Sequence, residues 1–169
     1  MYIGDIAYMP RSRRGYRFCL VIVERLTSFI SAIPLKSLNA DSTADAIRLF
    51  IGIIGFTMSK FSSDYGPEFS TKFTAQLNSM GIDHTSRIPR RSQSQGNVEV
   101  AIKILKQTLT KVCASRLTNT EWDICLPIAV TSINMSNPRG APLSRLRLMY
   151  SPFVFNDQPM VLSNPFKAQ

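Results

Sequence analysis

The chain has 169 residues, enough for one ordinary domain, and with 44% apolar and 18% charged residues it can bury a substantial core, which excludes a disordered chain. Its formal charge of +9 favours binding to polyanions such as nucleic acid. The alternative is a basic surface that binds no partner. The apolar stretch from Leu49 to Met58 is far shorter than the roughly 20 residues that cross a bilayer, so no membrane partner is expected.

The first third of the chain alternates apolar runs with turn signals. "IGDIAYM" predicts a strand, "PRSRRG" a basic turn, and "YRFCLVIVE" and "FISAIPL" two further strands. Short turns between such runs are typical of an antiparallel meander. The sequence therefore predicts three antiparallel strands at the start of the domain.

Helices and short strands alternate in the middle of the chain. Ser42 is a candidate N-cap, and the apolar residues after it recur at helical spacing, which predicts a helix over residues 43–55. "FTMSKFSS" predicts a strand that ends at Asp64, and a short helix closed by Gly81 follows. "IDHTS" predicts a last short strand, which brings the sheet to about five strands of an α/β fold with flanking helices.

The last part of the chain holds the clearest helix. "RIPRRSQSQGN" predicts an exposed flexible loop, and the apolar residues from Val98 to Val112 then repeat at alternating four and three spacing. Thr120 is a candidate cap for one more helix, with Pro127 inside it. Five prolines follow residue 136, so we predict a core domain over 1–136 and a Pro-rich, mostly irregular tail over 137–169.

Three acids occupy positions that converge in an open α/β sheet. Asp5 lies in the first strand, Asp64 ends a later strand, and Glu99 begins the clearest helix. Clustered carboxylates repel one another unless a cation neutralises them, and oxygen ligands suit Mg²⁺ or Mn²⁺. The alternatives are an Asx-turn at Asp64, a helix-dipole contact at Glu99 and a solvated strand residue at Asp5. Glu68 is interpreted as a rim or turn acid.

Residues 3–135 resemble the catalytic core of retroviral and LTR-retrotransposon integrases. The resemblance lies in "SDYGPEF", which is similar to an Asp-x-Gly-x-x-Phe strand end, and in "GIDHTSRIPRRSQSQGNVEV", which is similar to an Ile-Pro…Ser-Gln-Gly-x-x-Glu loop and helix. It implies an RNase H-like fold with Asp5, Asp64 and Glu99 as the catalytic, metal-binding triad for two Mg²⁺ or Mn²⁺ ions. The family's His/Cys zinc-binding domain is not expected here, because the chain has one histidine and three scattered cysteines.

The resemblance also implies a DNA-binding surface beside the acids. Lys103 and Lys106 lie four and seven residues after Glu99, so they share its helix face and either contact phosphate or form a solvated Glu-Lys face. The flexible loop beside the site is Ser94, Gln95 and Gly96. The predicted DNA-binding residues are Arg87, Arg90, Arg91, Gln95, Lys103 and Lys106.

The resemblance implies DNA integration: water activated by the metal cleaves near a DNA 3′ end, and the freed hydroxyl attacks target DNA. The expected partners are retroelement ends, target DNA and further copies of the chain, with no small-molecule substrate. The expected location is intracellular, with the nucleus as the point of action, and unpaired cysteines agree with a reducing compartment. The alternatives are a catalytically silent nucleic-acid-binding remnant and a nuclease of another RNase H-like lineage, which the Ser-Gln-Gly-x-x-Glu loop disfavours.

Overall fold

The structure, a computed structural model, describes residues 1–55, 58–86, 95–115 and 121–150, with the backbone alone at 95 and 96. Its strands form one mixed sheet in the order β3-β2-β1-β4-β5. The first three strands pair antiparallel, whereas β4 runs parallel to β1 and β5 runs parallel to β4. This confirms the predicted α/β architecture. The strands are β1 (Tyr2–Tyr8), β2 (Phe18–Glu24), β3 (Ile30–Leu35), β4 (Lys60–Ser63) and β5 (Asp83–Ser86).

Helices cover both faces of the sheet. Side chains alternate along β1, so Tyr2 and Ile6 pack into a core shared with α1 and α2, whereas Ile3 and Ala7 pack into a core shared with α3 and α4. Asp5 has the parity of Ile3 and therefore belongs to the α3/α4 face. The helices are α1 (Ala40–Ile54), α2 (Thr71–Ser79), α3 (Gln95–Ser115), α4 (Trp122–Met135) and α5 (Arg145–Tyr150).

Two predicted boundaries in the first half were wrong. Helix α1 begins at Ala40 and its N-cap is Asn39, whose side chain accepts a hydrogen bond from the Ser42 N–H at 2.8 Å. The predicted cap, Ser42, is thus the donor to the cap. Strand β4 is shorter than predicted because only Lys60–Ser63 pairs within the sheet.

Two predicted features in the second half also differ from the structure. Helix α3 already includes Gln95 and Gly96, which were predicted as loop. Thr120, the predicted cap of α4, lies outside the described residues, and α4 has Glu121 at that position, without a side-chain cap.

The C-terminal segment contains a helix that the sequence analysis missed. Met149 of α5 is buried in the α1/α2 core, and the Arg145 guanidinium donates to the backbone oxygens of Ile133 and Ser136, both at 3.1 Å. Residues 137–150 therefore pack against the domain. The irregular tail stays a prediction for residues 151–169, because they lie outside the described residues.

Strand β3 lies at one edge of the sheet and is fastened to α4. Asn134 accepts a hydrogen bond from the Ile30 N–H at 2.9 Å and donates one to the Ile30 carbonyl at 2.7 Å. A single buried side chain thus binds the N–H and the carbonyl of Ile30, two backbone groups that would otherwise lack a partner at the edge of the sheet.

All three cysteines are free and buried, as predicted for unpaired thiols. Burial raises the pKa of Cys19 to about 12 and that of Cys113 to about 11, and a hydrogen bond of the Cys113 thiol to Cys125 adds to the latter shift. Within the described part of the chain, every helix is too short or too polar to span a bilayer.

Candidate active site

The register of β1 and β4 brings Asp5 and Asp64 together. These strands are parallel neighbours, and Ile3 lies opposite Ser62. Asp5 lies two residues after Ile3, and Asp64 lies two residues after Ser62. Because Phe61 packs in the α1/α2 core, alternation directs Ser62 and Asp64 towards the α3/α4 face, where Asp5 also lies. Asp5 in β1 and Asp64 directly after β4 therefore lie at neighbouring strands, and their role as metal ligands stays a prediction.

The electrostatics of Asp5 reflect this crowding. Burial raises the pKa of Asp5 from 3.8 to about 6, although a hydrogen bond from the Ile6 N–H, at 2.7 Å, lowers it. The negative charges of Asp64, Glu68 and Glu99 raise the pKa of Asp5 further, in that order of size. Four acids therefore act on one small region of a chain with net charge +9.

The turn after β4 explains the spacing of the "SDYGPEF" stretch. A side chain at Gly66 would clash with the Glu68 carboxylate, since a Cβ there would lie 2.5 Å from Oε1. Pro67–Phe69 forms a single 3-10 turn, and the buried Phe69 ring packs 5.3 Å from that of Phe73. The glycine clears space for Glu68 and the phenylalanine anchors the turn in the core. Asp64 is thereby held at the end of its strand.

A chain of hydrogen bonds supports the end of β4 from the other face. Ser63 Oγ donates to the Asp64 carbonyl at 3.0 Å and lies 3.0 Å from His84 Nε2. His84 Nδ1 lies 2.7 Å from Thr74 Oγ1. The three bonds form together if Thr74 donates to Nδ1 and Nε2 donates to Ser63. The only histidine thus joins α2 and β5 to the residue before Asp64.

The residues at this site fit a divalent cation in their chemistry. Asp64 Oδ1 is buried and has no hydrogen-bond partner, an arrangement that is costly unless a further group binds the oxygen. Asp5 and Asp64 offer only oxygen ligands, which Mg²⁺ and Mn²⁺ prefer. Among the described residues, no three acidic, histidine or cysteine side chains already lie close enough to hold one ion. Glu99 would have to approach the two aspartates to complete the set.

Glu99 and the two lysines lie along α3. All three side chains are exposed, and the charge of Glu99 reaches Asp5. Within the described ranges, neither Lys103 nor Lys106 lies within 4.0 Å of a carboxylate, so the solvated Glu-Lys pair is not formed. Both cations are therefore available for another partner.

The remaining predicted site residues divide into two groups. Arg87, Arg90, Arg91 and Ser94 lie outside the described residues, so their roles stay predictions. Gln95 and Gly96 form the first residues of α3 rather than the predicted loop. Their position directly before Glu99 is nevertheless at the helix end that faces the acids.

Two contributors to the site were not recognised from the sequence. Glu68 was interpreted as a rim acid, yet it is buried, with 7% exposure, and its charge acts on Asp5. His84 was counted only in the argument against a zinc-binding domain, yet its ring contacts position the end of β4. The Asp-x-Gly-x-x-Phe spacing could have indicated Glu68, because a turn this tight folds its last acid back over the glycine.

Comparisons with known proteins agree in sequence and in fold. The chain is 28% identical over 162 residues to the Pro-Pol polyprotein of simian foamy virus type 1, covering 92% of this chain and 14% of that protein. It therefore spans about one seventh of the length of this relative. No model of a known protein family matches the chain.

Two solved structures share the fold. One is the simian T-cell lymphotropic virus intasome in complex with PP2A regulatory subunit B56 gamma, with a TM-score of 0.77, 26% identity and coverage of 99% of this chain and 59% of that one. The other is the HTLV-2 integrase catalytic core domain in complex with magnesium in a trimeric form, with a TM-score of 0.72, 22% identity and coverage of 88% and 94%. Fold and sequence together place this chain, with its RNase H-like sheet, among the relatives of the retroviral integrase catalytic cores.

Proposed function

We propose that the chain is a metal-dependent polynucleotidyl transferase and endonuclease that processes DNA 3′ ends and joins them to target DNA. The observation that carries this proposal is the meeting of Asp5 and Asp64 on parallel neighbouring strands, where four acids repel one another and one buried carboxylate oxygen has no partner. A folded chain retains such repulsion when a cation offsets it in the working state.

The three acids have distinct roles in this proposal. Asp5 and Asp64 bind the cations from the sheet, and Glu99 completes the second site from the start of α3. Two bound Mg²⁺ or Mn²⁺ ions supply charge neutralisation for the attacking and leaving oxygens of an in-line displacement. With its pKa at about 6, Asp5 is ionised at neutral pH, and below that value a proton competes with the metal. The magnesium complex of the HTLV-2 core supports this choice of ion.

DNA is the proposed substrate and partner. Lys103 and Lys106 contact its phosphates, together with Arg87, Arg90, Arg91 and Gln95 around the start of α3. Their support is the net charge of +9 and the absence of a carboxylate partner for either lysine in the described ranges. Assembly into oligomers is proposed because the two structural neighbours are an intasome and a trimeric core. The nucleus is the proposed place of action.

The test of the proposal is the Asp64→Asn variant. Asparagine keeps the turn geometry and the Asx hydrogen bonds but removes a charged oxygen. If Asp64 binds metal, Mg²⁺-dependent nicking of oligonucleotides and strand transfer should fall by on the order of 10³-fold, because the lost charge stabilisation amounts to several kcal/mol. DNA binding should stay equal or rise slightly as repulsion of the phosphates falls.

The matched control is Asp45→Asn, which removes the same charge from an exposed residue of α1. It should leave nicking, binding and thermal unfolding nearly unchanged. Full nicking activity in Asp64→Asn would exclude the metal-ligand role of this residue. DNA binding without any nicking by the unchanged protein would instead support the silent nucleic-acid-binding domain.

A further inference from the structure

The β1–β2 turn carries an unusual concentration of positive charge. Residues 10–17, "PRSRRGYR", contain four arginines, and no acid occurs between Asp5 and Glu24. All four arginine side chains are exposed. A turn needs no such charge to close. The exposed arginines are Arg11, Arg13, Arg14 and Arg17.

The turn is held rigidly by its own hydrogen bonds. The Ser12 N–H donates to the Tyr16 carbonyl at 2.8 Å, and the Gly15 N–H donates to the Ser12 carbonyl at 2.9 Å, with Gly15 in the left-handed region at φ 86°. At the base of the turn, the Trp122 indole N–H donates to the Pro10 carbonyl at 2.7 Å. The arginines are therefore presented on a fixed hairpin that is fastened to α4.

The arginines of the turn differ in whether a carboxylate lies close to them. Arg14 Nε lies 3.7 Å from Asp123, whose side chain is 2% exposed and whose carboxylate oxygens accept no hydrogen bond in the described structure. Arg14 therefore neutralises a buried charge and has a structural role. Arg13 lies 3.6 Å from Glu121, a similar distance, but both of these side chains are more exposed.

The other two arginines have no such partner. Neither Arg11 nor Arg17 lies within 4.0 Å of a carboxylate in the described part of the chain. Arg11 and Arg17 therefore supply two cations without a carboxylate partner, and Arg13 supplies a third whose exposed pair with Glu121 contributes little.

A groove connects this turn to the helix of the active site. It has a volume of about 470 Å³ and is lined by Met9, Pro10 and Trp122 on the side of the turn and by Lys106 and Leu109 of α3. Lys106 lies two helical turns, or about 10 Å, beyond Glu99. Lys106 of α3 and Pro10, the residue before Arg11, thus line the same groove.

We propose that this turn is a second duplex-DNA-binding surface, which holds the phosphate backbone of the same DNA whose reacting phosphate lies at Asp5 and Asp64. The inference rests on the proposed function and adds a contact outside the active site. Five residues of extended chain from Asp5 to Pro10 span about 17 Å. At about 3.4 Å per base pair, the arginines contact backbone roughly five or more base pairs from the reacting phosphate.

The experiment compares two triple variants that lose the same charge. The test variant is Arg11→Gln/Arg13→Gln/Arg17→Gln. The control is Arg25→Gln/Arg48→Gln/Lys72→Gln, whose three exposed residues lie in the β2–β3 turn, in α1 and in α2. Binding to a labelled duplex of about 20 base pairs is measured by fluorescence anisotropy over a salt series in EDTA, and thermal unfolding checks each fold.

The test variant should bind less tightly, with a salt slope flatter by about 2 to 3, because each lost phosphate contact removes about 0.9 from the slope. The control should keep the wild-type slope. Equal slopes in wild type and test variant, or equal losses in test and control, would overturn the proposal. Because these measurements need no cleavage, they can refute the DNA-binding surface while nicking activity persists. They can equally support the surface when the protein does not nick DNA.

A second measurement locates the contact along the DNA. Nicking of DNA hairpins is compared for stems of about 5 and about 20 base pairs, and the longer stem should give the lower KM in the wild type. The test variant should lose this advantage without a change in kcat. A KM ratio that is the same in both proteins would place the arginines away from the reacting DNA and overturn the proposal.

Discussion

The two faces of the sheet are covered by different types of side chain. The α1/α2 face is packed with buried aromatic rings, among them Tyr2, Phe50, Phe61 and Phe73. The α3/α4 face is mostly aliphatic, and Trp122 is the single aromatic side chain in its buried cluster within the described residues. The acids Asp5 and Asp64 belong to this second face, as does the buried Asp123 at the start of α4.

The two faces therefore contribute differently to the stability of the fold. Large rings bury the most apolar area per residue, so the α1/α2 face contributes much of the hydrophobic stabilisation. The acids on the other face oppose one another, and the raised pKa of Asp5 shows that the ionised form of this residue is disfavoured in the fold. Substitutions on the two faces should therefore differ in their effect on stability.

The largest expected effect is on the aromatic face. Phe50 is 1% exposed and its ring meets that of Tyr2 edge to face at 5.5 Å. Phe50→Ala should lower the free energy of unfolding by about 3 to 5 kcal/mol, since it removes a buried ring and leaves a cavity. Urea unfolding measures the loss. The neighbouring Leu49, which is 54% exposed, is the control, and Leu49→Ala should change stability by less than about 0.5 kcal/mol. A similar loss in both variants would contradict the comparison.

An intermediate effect is expected at His84, which lies on the α1/α2 face and contacts the residue before Asp64. His84→Phe keeps ring packing against Phe73 but removes the ring's hydrogen bonds to Ser63 and Thr74, at a cost of about 1 to 3 kcal/mol for the two bonds. Burial lowers the pKa of His84, so its contribution to stability is present above pH 6.5 and is lost as the pH falls through the lower folded value.

Thermal unfolding of both proteins across this range checks the His84 prediction. The difference between wild type and His84→Phe should shrink on acidification. A difference that stays constant with pH would show that the histidine does not titrate within this network. His84→Gln, which can retain one of the two hydrogen bonds, should lie between the two proteins at neutral pH.

The smallest effect is expected at Asp5, and it has the opposite pH dependence. Because the folded pKa of Asp5 is raised to about 6, its protonated form favours the folded state, and stability is lost as the pH rises from about 4 through 6. Asp5→Asn should therefore raise the unfolding free energy at pH 7.5, without divalent metal, by on the order of 1 kcal/mol, after allowance for solvent screening at this half-buried group.

Differential scanning fluorimetry at several pH values tests the Asp5 prediction, since the gain corresponds to about 3 °C. The gain should vanish near pH 4. Addition of Mg²⁺ should stabilise the wild type and reduce the gap. A variant that is less stable than wild type at pH 7.5 would mean that the Asp5 carboxylate stabilises the metal-free fold.

Local patterns predicted the elements whose signal lies within one segment. The alternation in β1 to β3 and the four-three repeat from Val98 to Val112 depend only on which side of an element is buried, so they predicted strands and a helix correctly. Boundaries were less accurate because competing residues offer the same bond. Asn39 and Ser42 can both cap a helix, and only the tertiary fold decides which one accepts.

Contacts between distant segments could not be predicted in this way. Met149 anchors α5 in a core built 100 residues earlier in the chain, although the surrounding prolines indicated an irregular tail. The bonds of His84 depend on the register of β4 and β5, which no local pattern specifies. The pairing of Asp5 with Asp64 was predicted because parallel strands present their ends at one edge, a rule of topology rather than of local sequence.

The bond between Asn134 and Ile30 has a consequence for assembly. An exposed edge strand is a template to which another chain can add a strand of its own. At β3, however, both backbone groups of Ile30 are bound by Asn134, and Pro34 has no N–H to donate. Two of the six residues of β3 therefore cannot pair fully with an added strand. A strand added by another copy of the chain would find both groups of Ile30 occupied and no donor at Pro34, so this edge is a poor template for an open fibre.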